Sequence, residues 1–338
     1  KMVNITYLPI NPNPNSPWKA LPLRTQAQKN AGYSGGEGFQ RVYSISYALS
    51  NPNIAYLLSD SSQVWKSING GFSWQSKRNG FRSHGGISLG VDPKNEDVVF
   101  ASGSKHHENL TTSPVDGIYR TINGGENWQL VYQTPYYRNE EGQHFAFDPD
   151  SFDGARHQTI YAGTHTQGLI KSTDGGNTWT SLGLIGTKSM DIELHKYGTV
   201  ATLYIATNAA TAPSKGLYKL TDSNGTISIS ELGNLPDYPR TIAVVNQSDP
   251  NNDTIYAAVG TYKVYKSTDG GNSFASVSGG LMINAEYKNI SISPANSNYL
   301  YVKLNNSTIA NPIYTHDGGI TWSQPVSLDE GGLSFRED

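Results

Sequence analysis

Between residues 82 and 144 the chain gathers side chains able to bind or transform a polar ligand: Arg82, His84, His106, His107 and Glu108, then Tyr136, Tyr137, Arg138, Glu140, Glu141 and His144. His165 follows, and Asp237, Tyr238, Arg240, Tyr262, Glu286 and Tyr287 add the same types later. Aromatic rings offer flat apolar faces while His, Arg and carboxylates bond hydroxyls, a mixture that suits a sugar ring. Three uses are open. Hydrolysis needs two carboxyl groups, for which Glu140, Glu141, Asp237 and Glu286 are available. Elimination beside a uronic acid needs an acid, a base and a cation to neutralise the carboxylate. His84, His144, Tyr136 or Tyr137, with Arg138 or Arg240, supply that set. In the third use the same side chains only recognise a glycan or a protein. No metal is expected, because neighbours such as His106 and His107 point apart in an extended chain and no third ligand is specified. No cofactor is expected either.

The elements that must position these residues come from a repeat. Lys171-Ser172-Thr173-Asp174-Gly175-Gly176-Asn177-Thr178-Trp179 has close copies at 66–74, 120–128, 266–274 and 315–322, and a decayed one at 219–226. From one Asn or Asp to the next (69, 123, 174, 222, 269, 317) the steps are 54, 51, 48, 47 and 48 residues. A constant period near fifty marks stacked or radially repeated units. Each repeat reads as four short strands with no helical period, which is the pattern of a β-propeller blade. The repeated stretch is the turn between third and fourth strands. Its short carboxylate or amide accepts backbone N–H bonds, its glycines take positive φ, and its aromatic returns to the packing between blades. This turn resembles the Asp-box, and a carboxylate repeated in every blade is read as structural.

The expected fold is all-β, a single propeller domain over residues 1–338 with blades at about 41–75, 85–131, 144–182, 189–232, 241–277 and 289–324. Six four-stranded repeats are visible. A seventh blade is expected from both termini, with Trp18 to Leu23, inside the lead-in 1–34, as its closing strand. The unequal loops then fall on two faces. The turns lie on one, and the ligand-type side chains lie on the other, in connections between second and third strands and between blades. His84, Tyr136, Arg138 and His144 are expected to form one groove there.

Composition narrows the partners. Only 16% of residues are charged and the formal net charge is -3, which gives no field for binding nucleic acid. There is no cysteine, no apolar run of membrane-spanning length and 11% aromatic residues. These features suit an extracellular, secreted bacterial protein whose partner is a polysaccharide or oligosaccharide.

Several segments resemble glycoside hydrolase family 74, the xyloglucanase family. Gly35-Gly36-Glu37-Gly38-Phe39 with Tyr56-Leu57-Leu58-Ser59-Asp60-Ser61-Ser62-Gln63-Val64-Trp65-Lys66 is similar to its first blade. Gly86 to Pro93 is similar to its second blade, and Gly142 to Pro149 with Gly168 to Gly176 to its third. Beyond about residue 182 the resemblance reduces to the repeated turn. It implies tandem seven-bladed propellers that cleave β-1,4-glucan backbones with inversion, one Asp coming from each side of a cleft. The matching base is Asp60. Inversion places two carboxyl groups roughly 6.5–9.5 Å apart. The chain departs from the family in Ser61-Ser62-Gln63, where a glycine-containing turn is usual, and in having no second propeller to supply the acid. A second propeller domain or partner chain is therefore an expected partner. The Arg-Ile-Pro segment of sialidases is absent.

Overall fold

The computed structural model describes residues 42–59, 64–83, 85–104, 115–134, 136, 143–165, 167–209, 216–259, 263–277, 286–293, 296–305 and 313–323. Among them every regular element is a strand, and the strands form six antiparallel sheets in chain order, the blades of a β-propeller. By Cα proximity the chain divides into two units, residues 1–140, 147–165 and 170–181 in one and 141–146, 166–169 and 182–338 in the other. The cut runs through the third blade.

In the first unit, blade one is β1 (Val42–Tyr47), β2 (Ala55–Ser59), β3 (Val64–Ser67) and β4 (Gln75–Ser76). Blade two is β5 (Gly85–Asp92), β6 (Asn95–Ser104), β7 (Gly117–Thr121) and β8 (Gln129–Gln133). Blade three, which the cut divides, is β9 (Phe145–Phe147), β10 (Ile160–Gly163), β11 (Leu169–Ser172) and β12 (Thr180–Gly183). Second strands such as β2 read as unbroken apolar runs because packing buries both of their faces. Tyr56, Leu58 and Val64 of blade one pack on Leu89, Val99, Ala101 and Tyr119 of blade two in one core cluster.

In the second unit, blade four is β13 (Thr187–Tyr197), β14 (Val200–Ala209), β15 (Gly216–Ser223) and β16 (Thr226–Glu231). Blade five is β17 (Pro239–Val245), β18 (Thr254–Val259), β19 (Lys263–Ser267) and β20 (Ala275–Ser276). Blade six has β21 (Glu286–Ser293), β22 (Asn296–Asn305) and β23 (Ile313–Thr315), and a single bridge from Tyr314 to Ser323 stands where its fourth strand would be. Tyr204, Ala206 and Leu217 of blade four meet Ile242, Val244 and Ile255 of blade five, and Ala243, Tyr256 and Val264 of blade five meet Leu300, Val302 and Ile313 of blade six.

The repeated turns join third to fourth strands, as the sequence predicts. Asp174 Oδ1 accepts from Ser172 Oγ at 2.8 Å and from the N–H groups of Asn177 and Thr178 at 2.9 Å. Asp269 and Asp317 repeat this, and Asn69 and Asn123 do so with an amide oxygen. In all five turns the first glycine holds φ between +66° and +69° and the second between +84° and +93°, a region costly for any side chain. The decayed sixth copy is a different object. Asn224 and Gly225, at φ +50° and +90°, form a two-residue hairpin loop between the paired Ser223 and Thr226. The expected seventh-blade strands lie outside the described residues.

Candidate functional site

In the first unit the connection into blade two carries Arg82, exposed, between the buried Phe81 and Ser83. Ser83 Oγ lies 3.0 Å from Asp116 Oδ1 and 3.1 Å from the Ser104 carbonyl, so the connection is tied inward to the ends of β6 and β7. Tyr136 corrects the sequence expectation. Its ring is 1% exposed and its hydroxyl donates to the Gly163 carbonyl at 2.7 Å, so it pins the chain leaving blade two to the end of β10 and presents no ring to a ligand. His165, half-buried, follows β10 on the same edge. Asp60 follows Ser59, the last residue of β2. Asp60, His84, Tyr137, Arg138, Glu140 and Glu141 lie outside the described residues.

In the second unit His144 is also buried, 1% exposed, and burial drives its pKa down to about 3, so the imidazole is neutral. It is a core histidine at the start of β9, not the expected surface ligand. The residue before it, Gln143, donates its N–H to Asp191 Oδ1 at 2.6 Å and accepts the Ile192 N–H at 3.0 Å. Asp191 Oδ2 accepts Thr241 Oγ1 at 2.8 Å and the Ile242 N–H at 2.9 Å. One carboxylate thus joins the entry to β9, the strand β13 and the strand β17.

Asp191 opens a polar stripe on β13. Glu193 and His195 follow at two-residue steps on the same face, while Met190 and Ile192, on the other, are buried in apolar packing. Burial raises the Asp191 pKa, against the pull of its backbone partners Ile242 and Gln143 and the Thr241 hydroxyl. Burial, then the negative charge of Asp191, pushes Glu193 up to about 8, so it carries a proton at neutral pH. Burial lowers His195, opposed by Asp253. The stripe ends at Asp253, fully buried, whose carboxylate accepts the hydroxyls of Tyr204, at 2.7 Å, and Tyr197 and the Gln247 N–H.

Near the entry to β17, Arg240 sits with its guanidinium 5.9 Å from the Tyr238 ring centroid, both residues half-buried. The second unit therefore offers a cation on an aromatic face, at the start of a strand whose next residue bonds Asp191, and a protonated carboxyl two residues along β13. Of these, Arg240 and Tyr238 present a guanidinium and a ring face of the kind that bonds sugar hydroxyls. Sequence reading missed Asp191 and Glu193. The available signal was alternation: Met190-Asp191-Ile192-Glu193-Leu194-His195 is polar at every second residue, with two acids and a histidine on one face. Among the described residues no group of three or more His, Asp or Glu could hold a metal ion.

No family model matches the sequence. No curated protein matches it either. Solved structures do. A family 74 xyloglucanase from Xanthomonas campestris superposes with TM-score 0.66 at 14% identity, over 86% of this chain and 46% of that one. A family 74 enzyme from Niastella koreensis gives 0.55 at 18% identity, over 86% of this chain and 60% of that one. YCF48 from Cyanidioschyzon merolae gives 0.56 at 14% identity, over 86% and 87%. The chain spans about half the length of the two family 74 enzymes, and at these identities the likeness establishes the propeller fold that all three share.

Proposed function

We propose that this propeller is glycan-directed and forms one wall of a polysaccharide-cleaving cleft of the xyloglucanase type. The observation that carries the reading is the superposition on the Xanthomonas enzyme, joined to a sequence run through β2 and β3 that resembles that family's first blade and ends β2 immediately before Asp60. Asp60 acts as the base that activates water. A second propeller, in a longer form of the chain or in a partner, supplies the acid, as the half-length match to the family 74 enzymes suggests. The chain works outside the cell. Burial of Tyr136 and His144 removes two of the proton-transfer candidates of the lyase reading, which makes hydrolysis the better choice.

A polysaccharide panel tests this. The chain is expected to be retarded in gels containing xyloglucan or another β-1,4-glucan, and to release reducing ends weakly. An inverting mechanism that lacks one proton-transfer partner runs about 10²–10⁴-fold slower. Asp60→Asn should abolish the residual release and keep the retardation. Unsaturated products would establish elimination instead, and absence of retention on every polysaccharide would overturn the reading.

A further inference from the structure

The two-residue loop of blade four carries a chemistry of its own. In an Asn-Gly step the backbone nitrogen of the glycine can attack the side-chain carbonyl of the asparagine, because glycine has no Cβ to obstruct the approach. The chain contains four such steps, Asn69-Gly70, Asn79-Gly80, Asn123-Gly124 and Asn224-Gly225. All four asparagines are exposed, so exposure does not separate them. What separates them is hydrogen bonding.

Asn69 is held within its turn. Its Oδ1 accepts Ser67 Oγ at 3.0 Å and the Ser73 N–H at 2.8 Å, and its Nδ2 donates to Ser73 Oγ at 2.9 Å. The nitrogen that would attack, on Gly70, donates to the Asn53 carbonyl at 2.8 Å. Asn123 repeats this, with Oδ1 accepting Thr121 Oγ1 at 2.9 Å and the Asn127 N–H at 3.0 Å, while the Gly124 N–H donates to the Asp97 carbonyl at 2.9 Å. Asn79 Nδ2 donates to the Glu126 carbonyl at 3.1 Å and to Asn127 Oδ1 at 2.5 Å. Trp128 grips the same stretch, its backbone N–H on the Asn79 carbonyl at 2.8 Å and its indole N–H on the Lys77 carbonyl at 2.7 Å. In each of the three, attack requires a turn and its hydrogen bonds to a second segment to open together.

Asn224 lacks that restraint. Among the described residues its side chain makes no hydrogen bond, and a Cβ on Gly225 would meet nothing within 4 Å. The loop is held by the Gly225 N–H, which donates to Asp222 Oδ1 at 2.8 Å. It leads into β16, an edge strand exposed at five of its six positions, so opening it uncovers little apolar surface. We propose that Asn224 is a self-modification site, converting through a succinimide to aspartate and isoaspartate while the other three asparagines persist. The Gly225 nitrogen, released from Asp222, bonds to Asn224 Cγ, and its proton leaves with the side-chain NH2 as ammonia. Water then opens the ring. Opening at Cγ leaves aspartate, and opening at the backbone carbonyl leaves isoaspartate, with an extra methylene in the main chain. At Asn69 and Asn123 the same change would give the residue that Asp174, Asp269 and Asp317 already supply. At Asn224 it adds charge beside the buried Asp222 and lengthens a two-residue hairpin loop.

Ageing the full chain in mildly alkaline buffer tests this, read by peptide mapping with mass spectrometry and by enzymatic methylation of isoaspartate. Conversion at Asn224 is expected to run at least about tenfold faster than at Asn69, Asn79 or Asn123. In denaturant, where only the shared Asn-Gly sequence remains, the four rates should converge. Conversion at any of the other three as fast as at Asn224 overturns the proposal, and so does the same ranking in the denatured chain. Asp222→Ala, which frees the Gly225 nitrogen, should speed conversion at Asn224 about tenfold and leave the other three rates alone. An unchanged or slower rate in that variant, shown to be folded by circular dichroism, also overturns it.

Discussion

Asp191 and Thr241 stand 2.8 Å apart, carboxylate to hydroxyl, on the first strands of two successive blades. With the N–H groups of Gln143 and Ile242 on the same carboxylate, this buried contact joins three segments far apart in sequence. Asp191→Ala leaves buried donors unpaired and should cost about 1–3 kcal/mol. Thermal unfolding checks it, and an unaltered Tm would remove Asp191 from the account of how blades four and five are held.

Glu193 sets a pH dependence. Its folded pKa, raised by burial and by Asp191 to about 8, exceeds the ordinary 4.5, so the native state keeps a proton that the unfolded chain gives up. Its stabilising contribution is complete below pH 4.5 and is lost as pH rises through 8. Glu193→Gln should flatten the fall in Tm over that range. A parallel shift of the whole profile, with its slope intact, would refute the assignment.

His144 acts at the acid end. Burial lowers its pKa from 6.5 to about 3, so the unfolded chain binds a proton there that the native state refuses, and stability falls as pH drops from 6.5 toward 3. His144→Gln should lessen this acid sensitivity. Titration by NMR of His144 near pH 6.5 would contradict its burial.

Tyr136→Phe separates the structural from the ligand-binding use of that residue. Removing the hydroxyl that donates to Gly163 should cost about 1 kcal/mol and leave retention on polysaccharide gels unchanged. Weakened retention at unchanged stability would return Tyr136 to the binding surface.

Asp174→Ala tests the repeated turn. Burial alone raises this carboxyl, but hydrogen bonds from Thr178, Ser172 and the Asn177 N–H outweigh it and hold the pKa down at about 2. Losing them should cost roughly 1–2 kcal/mol with no change in the glycan bound. Ligand specificity altered at constant Tm would make the turn a site.

The blades were legible in the sequence because a turn that needs a short acceptor, two positive-φ glycines and an aromatic has few substitutes. Asp174, Gly175, Gly176 and Trp179 are such a set, so the period appears without structural help. Tyr136 and His144 were misread for a physical reason. They occupy connections between blades, and residue type alone does not say whether a side chain on a connection turns outward or into the packing. Asp191 was missed because its role depends on Thr241, fifty residues away, and the alternation that marks Asp191 as a polar residue on a strand carries nothing about that partner. The Asn224-Gly225 hairpin shows the reverse error, since half of the turn's signature is shared with a commoner two-residue loop.

The indole contact from Trp128 to Lys77 has a temporal consequence. It points backward along the chain, so a blade's last strand end has no cap until the turn of its successor has been made. The gap between donor and acceptor here is 51 residues. At synthesis rates of about 5–20 residues per second, blade one waits on the order of 3–10 s, uncapped, for its neighbour to leave the ribosome.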